Sequence, residues 1–90
     1  MTSVDEQLMK LAACFVARAG EERTALATAH DRGDRGELRD RAHRLAGTAP
    51  MFGYSAIGEA ALALEVAAED LENDPAEAWQ KLDRLLGELC

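Results

Sequence analysis

The chain is short of aromatic residues, proline, cysteine and positive charge. Aromatics make up 4% of its 90 residues, proline and cysteine occur twice each, and 10 lysines and arginines face 17 acids, a formal charge of −7. Each shortage excludes something. The deficit of base excludes a generally basic nucleic-acid binder. No apolar run approaches the roughly 18 residues that a membrane span requires, and the N-terminus, MTSVDEQLMK, lacks the basic-then-apolar order of a secretory signal. A cytoplasmic protein is therefore expected, with no membrane partner. Cys14 and Cys90 have no metal-ligand spacing, and in a reducing compartment they are expected to be free thiols. Nowhere is a period of two sustained, so strands are not expected. Ninety residues make one small domain, residues 1–90, with a single core.

What is present is helical patterning. Apolar residues are 48% of the chain and charged ones 30%, enough to fold. Val4, Leu8, Leu11, Phe15, Ala19, Leu26 and Ala29 recur at helical spacing, Ser3 with Glu6 has the form of a capping box, and Cys14 is expected to pack inside between Leu11 and Phe15. Gly20 leaves open whether this stretch is one helix or a short helix followed by a longer one. Asp31-Arg32-Gly33 is a turn: Gly33 suits a left-handed position, and Asp34 with Glu37 reads as the next N-cap and its reciprocal partner. The helix that follows buries Leu38, Ala42, Leu45, Ala49 and Phe52, and Pro50 should loosen its last turn. After Gly53-Tyr54-Ser55, the residues Ile57, Ala61, Leu64, Ala68 and Leu71 form an alanine-rich stripe. Asp74-Pro75, with Glu77 in the box, opens a last helix whose buried face is Trp79, Leu82, Leu85, Leu86 and Leu89. His30, at a helix end, reads as structural. Short connections favour an all-α, up-and-down four-helix bundle, with room for a short extra N-terminal helix if Gly20 breaks the first stretch.

On a wheel at ~100° per residue, the apolar stripe of the Asp34 helix clusters around Leu38 and His43 falls roughly 140° away, facing solvent. Gly47, one turn beyond His43, costs about 1 kcal/mol against alanine in a helix interior. It removes the side chain that would crowd the imidazole, leaving space for a large partner. Residues 32–44 also hold five arginines (Arg32, Arg35, Arg39, Arg41, Arg44) against three acids, a local +2, while the remaining 77 residues are net −9. An exposed histidine in a basic patch is suited to an acidic or phosphorylated partner.

Ala42-His43-Arg44-Leu45-Ala46-Gly47-Thr48-Ala49, followed by Phe52-Gly53, resembles the signature of histidine-containing phosphotransfer (HPt) domains, and the likeness continues in Gly33-Asp34 and Leu64-Glu65. The resemblance implies a four-helix bundle and makes His43 the phosphoacceptor, through Nε2. It implies that the phosphoryl group arrives from an aspartyl phosphate of one receiver domain and leaves to the aspartate of another. The partners would be receiver domains of hybrid histidine kinases and response regulators. The acceptor aspartate and Mg2+ would belong to the receiver, so this chain would bind no cofactor or metal and would be a monomeric carrier without independent catalysis. Many members carry lysine three residues after the histidine; here Ala46 stands there. Arg39, one turn before His43, is the candidate substitute, with Arg44 second because it points about 100° away.

Two further classes compete. A non-phosphorylated adaptor would use the same face, leaving His43 and Gly47 as coincidence. A small helical enzyme would need converging cations in a pocket, whereas Arg39, Arg41 and Arg44 lie around one helix's exposed side. Two histidines and scattered acids offer no metal constellation for a hydrolase.

Overall fold

Backbone punctuation fixes the element order. In the computed structural model, which describes residues 4–89, the helices are α1 (Val4–Asp31), α2 (Arg35–Thr48), α3 (Ser55–Glu69) and α4 (Ala76–Leu89), with a 3-10 turn at Ala49–Phe52. Ser3 of the expected capping box and Cys90 lie outside the described residues, as does the side chain of Leu8. Gly33 takes φ +68° where α1 ends, and its N–H and that of Asp34 donate to the His30 and Ala29 carbonyls. Asp34 caps α2 by accepting from Glu37 N at 3.1 Å. Pro50 has no N–H to continue the α-helical ladder, and the chain tightens into the 3-10 turn there before Gly53 (φ +88°) reverses it. Asp74 accepts from Ala76 N to open α4.

The helices run up and down, and the cross-contacts give their sense. Glu22 of α1 meets Arg41 of α2 while Phe15 stacks on Phe52 just beyond it. His43 of α2 meets Glu65 of α3, and Arg23 and His30 of α1 meet Asp83 and Trp79 of α4. Each helix packs on the next and α4 returns to α1. Leu26, Leu38, Leu64, Leu82 and Leu86 are fully buried at the centre. Buried Ala42, Ala49, Ala60, Ala61 and Ala68 keep the neighbouring helices close. Truncating a core leucine such as Leu64 to alanine would cost about 2–5 kcal/mol.

Gly20 does not split the first stretch; α1 is one helix of 28 residues, about 42 Å long, twice the length of its partners. That length overturns part of the expected core. Among the described side chains of α1, Phe15 is the first that is buried, where its ring stacks on Phe52 of the 3-10 turn. Val4 and Leu11, on the same stripe, are therefore 71% and 52% exposed. Cys14 is exposed rather than packed, since it precedes Phe15 by one residue and so points about 100° away. Leu71 is exposed because α3 ends at Glu69 and leaves it in the loop. Leu85 and Leu89 are half-buried at the edge of the face made by Trp79, Leu82 and Leu86. His30 is half-buried, its ring 6.3 Å from that of Trp79, and so lies in the contact between α1 and α4.

Candidate functional site

The residues that bury α2 put its opposite side in water. Leu38, Ala42, Leu45 and Ala49 are buried and Phe52 is half-buried, and the His43 side chain is 74% exposed. Its Nδ1 lies 2.9 Å from Oε1 and 3.1 Å from Oε2 of Glu65 on α3. A carboxylate has no proton to give, so the ring nitrogen donates. In a neutral imidazole that leaves Nε2 unprotonated, with its lone pair available. Glu65, only 16% exposed, is held by the packing of α3, so the covered group orients the exposed one.

Around this pair lies an open groove of about 560 Å³ between α2 and α3. Ala46, Gly47 and Pro50 line it from α2 and the turn, Gly58, Glu59 and Leu62 from α3. A Cβ added to Gly47 would meet nothing within 4 Å, so the position is open space, as the wheel implied. Gly58 is the opposite case: a Cβ there would stand 2.6 Å from Cγ and 2.9 Å from Cδ of Pro50. Pro50 thus seats against the bare backbone of α3 and forms the floor of the groove.

The arginines do not gather at His43. Arg35 donates to the carbonyls of Ala67, Asp70 and Asn73, stitching α2 to the end of α3. Arg41 is shared between Glu37 and Glu22; its hydrogen bond to Glu37 raises the guanidinium pKa above its ordinary value, with burial opposing and the charge of Glu22 assisting. Glu37 therefore spends its carboxylate on Arg41, although Asp34 caps the helix as expected. Arg39 donates to the Asp40 carboxylate at 3.1–3.2 Å. Arg44 lies along a second crevice, about 220 Å³, between α1 and α2, with Arg18, Arg41 and Glu22 at its rim and Phe15 beneath. The positive charge of the segment is thus directed away from the histidine, and the groove beside His43 is lined by two glutamates and no lysine or arginine.

The pairing of His43 with Glu65 was not read from the sequence. Leu64 on the buried stripe places Glu65 about 100° to one side of the core, but which side faces α2 depends on how the helices are arranged. The Gly58–Pro50 contact is likewise a tertiary fact. Among the described residues no group of histidine, cysteine and acidic side chains could hold a metal ion, and no helix is long and apolar enough to cross a membrane.

No curated protein and no solved structure matches the chain. The sequence pattern of the Hpt domain does match, over residues 10–89, from the exposed part of α1 to the end of α4. Hpt domains serve histidine phosphotransfer in two-component phosphorelays and interact there with receiver domains. With that match spanning nearly the whole bundle, and the helical fold in agreement, the chain belongs to the Hpt domain family.

Proposed function

We propose that this protein is a phosphorelay carrier and that His43 is its phosphoacceptor. The observation that supports this most directly is an exposed imidazole on the edge of an open groove, whose Nδ1–H is held by Glu65 and whose Nε2 is thereby left unprotonated. In the forward step the Nε2 lone pair attacks the phosphorus of a receiver's aspartyl phosphate. An N–P bond forms, the P–O bond to the aspartate breaks, and the carboxylate leaves with the electron pair. The ring becomes cationic and keeps its Nδ1 proton, and the Glu65 carboxylate balances that charge. Reversal towards a second receiver returns the ring to neutrality. Neutral imidazole needs no dedicated base to act as a nucleophile near neutral pH, and phosphoryl transfer asks chiefly for positioning and charge neutralisation.

In this reading the receiver supplies aspartate and Mg2+, and the chain itself holds no cofactor and catalyses nothing alone. Gly47 and Ala46 keep the approach clear, and Arg39, one turn before His43, is the arginine that assists the phosphoryl group in place of the family's lysine, ahead of Arg44. The partners are receiver domains of hybrid kinases and response regulators, and the setting is the cytoplasm.

The test is phosphotransfer from a panel of phosphorylated receiver domains, read by intact-protein mass spectrometry with His43→Gln alongside. The expected result is an acid-labile phosphoryl adduct on the parent and none on the variant, with identical helical circular dichroism. A folded protein that takes no adduct from any receiver is instead a non-phosphorylated adaptor.

A further inference from the structure

The face beside His43 has a chemistry of its own. Helix α3 contains three glutamates and no lysine or arginine. Its outward side carries Leu62 and Val66, one turn apart and 54% and 60% exposed, in a protein whose other described surface apolars are mostly on the α1 extension. Glu59 and Glu69 lie on the same side of the helix by spacing, and Glu59, Leu62 and Glu65 line the groove with His43. From α2 the groove receives Ala46, Gly47 and Pro50, none of them charged. Arg39 is offset by Asp40, and Arg44 turns to the far side of α2. The surface is thus an apolar centre with an acidic margin.

We infer that this groove selects a protein partner presenting an apolar knob ringed by lysine or arginine. This rests on the carrier reading, and the partner surface in question is that of the receiver. The knob enters between Leu62 and Pro50, over the open position Gly47, and the basic ring meets Glu59 and Glu69. The same ring answers a second need. A phosphoryl group on Nε2 would bring negative charge to a groove already holding Glu59 and Glu65, with Ala46 where many family members have lysine. Arg39 is shared with Asp40, so most of the positive charge that steadies it during transfer comes from the partner, and the carrier is matched to basic-faced receivers and discriminates against acidic-faced ones.

The experiment uses whichever receiver in the panel phosphorylates the parent fastest, and measures the transfer rate against salt for the parent, Glu59→Lys, Glu59→Gln and Leu62→Ser. Both positions of substitution are exposed, and circular dichroism checks folding. Transfer to the parent should slow as salt rises. Glu59→Lys should slow it roughly tenfold at low salt, with Glu59→Gln between, and the charge-reversed variant should lose most of the salt dependence. Leu62→Ser should slow transfer several-fold at every salt concentration. Arg18→Glu, on the opposite crevice, should leave the rate nearly unchanged. Equal rates for the parent and Glu59→Lys, or a rate that rises with salt, would overturn the inference while leaving the carrier reading intact. A parent protein that takes no phosphoryl group would overturn the carrier reading itself.

Discussion

Helix α2 separates two grooves of opposite character. On its α3 side lie His43, Glu59 and Glu65 with Leu62 and no base; on its α1 side lie Arg18, Arg41 and Arg44 with Glu22 over a floor of Phe15 and Leu45. Both are cut by the same 14-residue helix, and the sequence of that helix, taken as a segment, is simply basic. The difference teaches that a charge total over consecutive residues says little about what a particular side chain faces. Helical geometry sends Arg41 and Arg44 to one flank and His43 to the other, and Arg35 is consumed by backbone carbonyls. The basic patch inferred from residues 32–44 is real as composition and absent as a surface around the histidine.

The largest effect that would sharpen the contrast is at Glu65. Glu65→Ala removes the acceptor of Nδ1–H and should slow phosphotransfer about 10–100-fold, while Glu65→Gln, which still offers an oxygen to the ring N–H, should recover part of the loss. A rate unchanged in Glu65→Ala would reduce the His43–Glu65 contact to surface decoration. Next is Gly47→Gln. Glycine is a poor helix residue and this position is open, so the variant should melt at a higher temperature, by up to about 1 kcal/mol of added stability. It should nevertheless transfer about tenfold more slowly, since it fills the approach. Opposite signs in melting and in rate are the signature; a faster or equal rate breaks it.

Smaller still is the comparison of Arg39→Ala with Arg44→Ala. The first should reduce the transfer rate a few-fold and the second less, because only Arg39 shares the histidine's side of α2. The reverse ranking would move the functional charge to the α1 flank. Smallest in transfer is Arg41→Ala, whose effect falls on stability instead. It leaves Glu22 and Glu37 without their shared cation, so the melting midpoint should fall by the equivalent of about 1 kcal/mol with the phosphotransfer rate unaltered. A rate that falls with Arg41 would join the two grooves into one site.

Much of the scaffold was legible because its signals are local. Gly33 and Asp34 mark the α1–α2 turn through backbone conformation and a cap, Pro50 tightens the chain by lacking a donor, and the stripe from Leu38 to Ala49 dictates which way His43 points. The exposure of Val4, Leu11 and Cys14 was not legible, since periodicity shows which face of α1 is apolar and not how far the neighbouring helices extend to cover it. The destinations of the arginines escaped for the same reason. A long flexible cation adjoins several acids in sequence, and only the packed arrangement decides between Glu37, Glu22 and a helix-terminal carbonyl. At the site, the exposed histidine and the gap beside it could be read from one helix alone. Its carboxylate partner and the groove required two.

The seating of Pro50 on Gly58 has a mechanical counterpart at the other end of α2. There Arg35 grips the carbonyls that close α3, and His43 lies between the two fastenings, eight residues from one and seven from the other. A helix slid by a single residue moves about 1.5 Å, more than a 2.9 Å hydrogen bond to Glu65 could absorb. Pinned at both ends, α2 and α3 are held in one register, and with them the imidazole and the carboxylate that orients it.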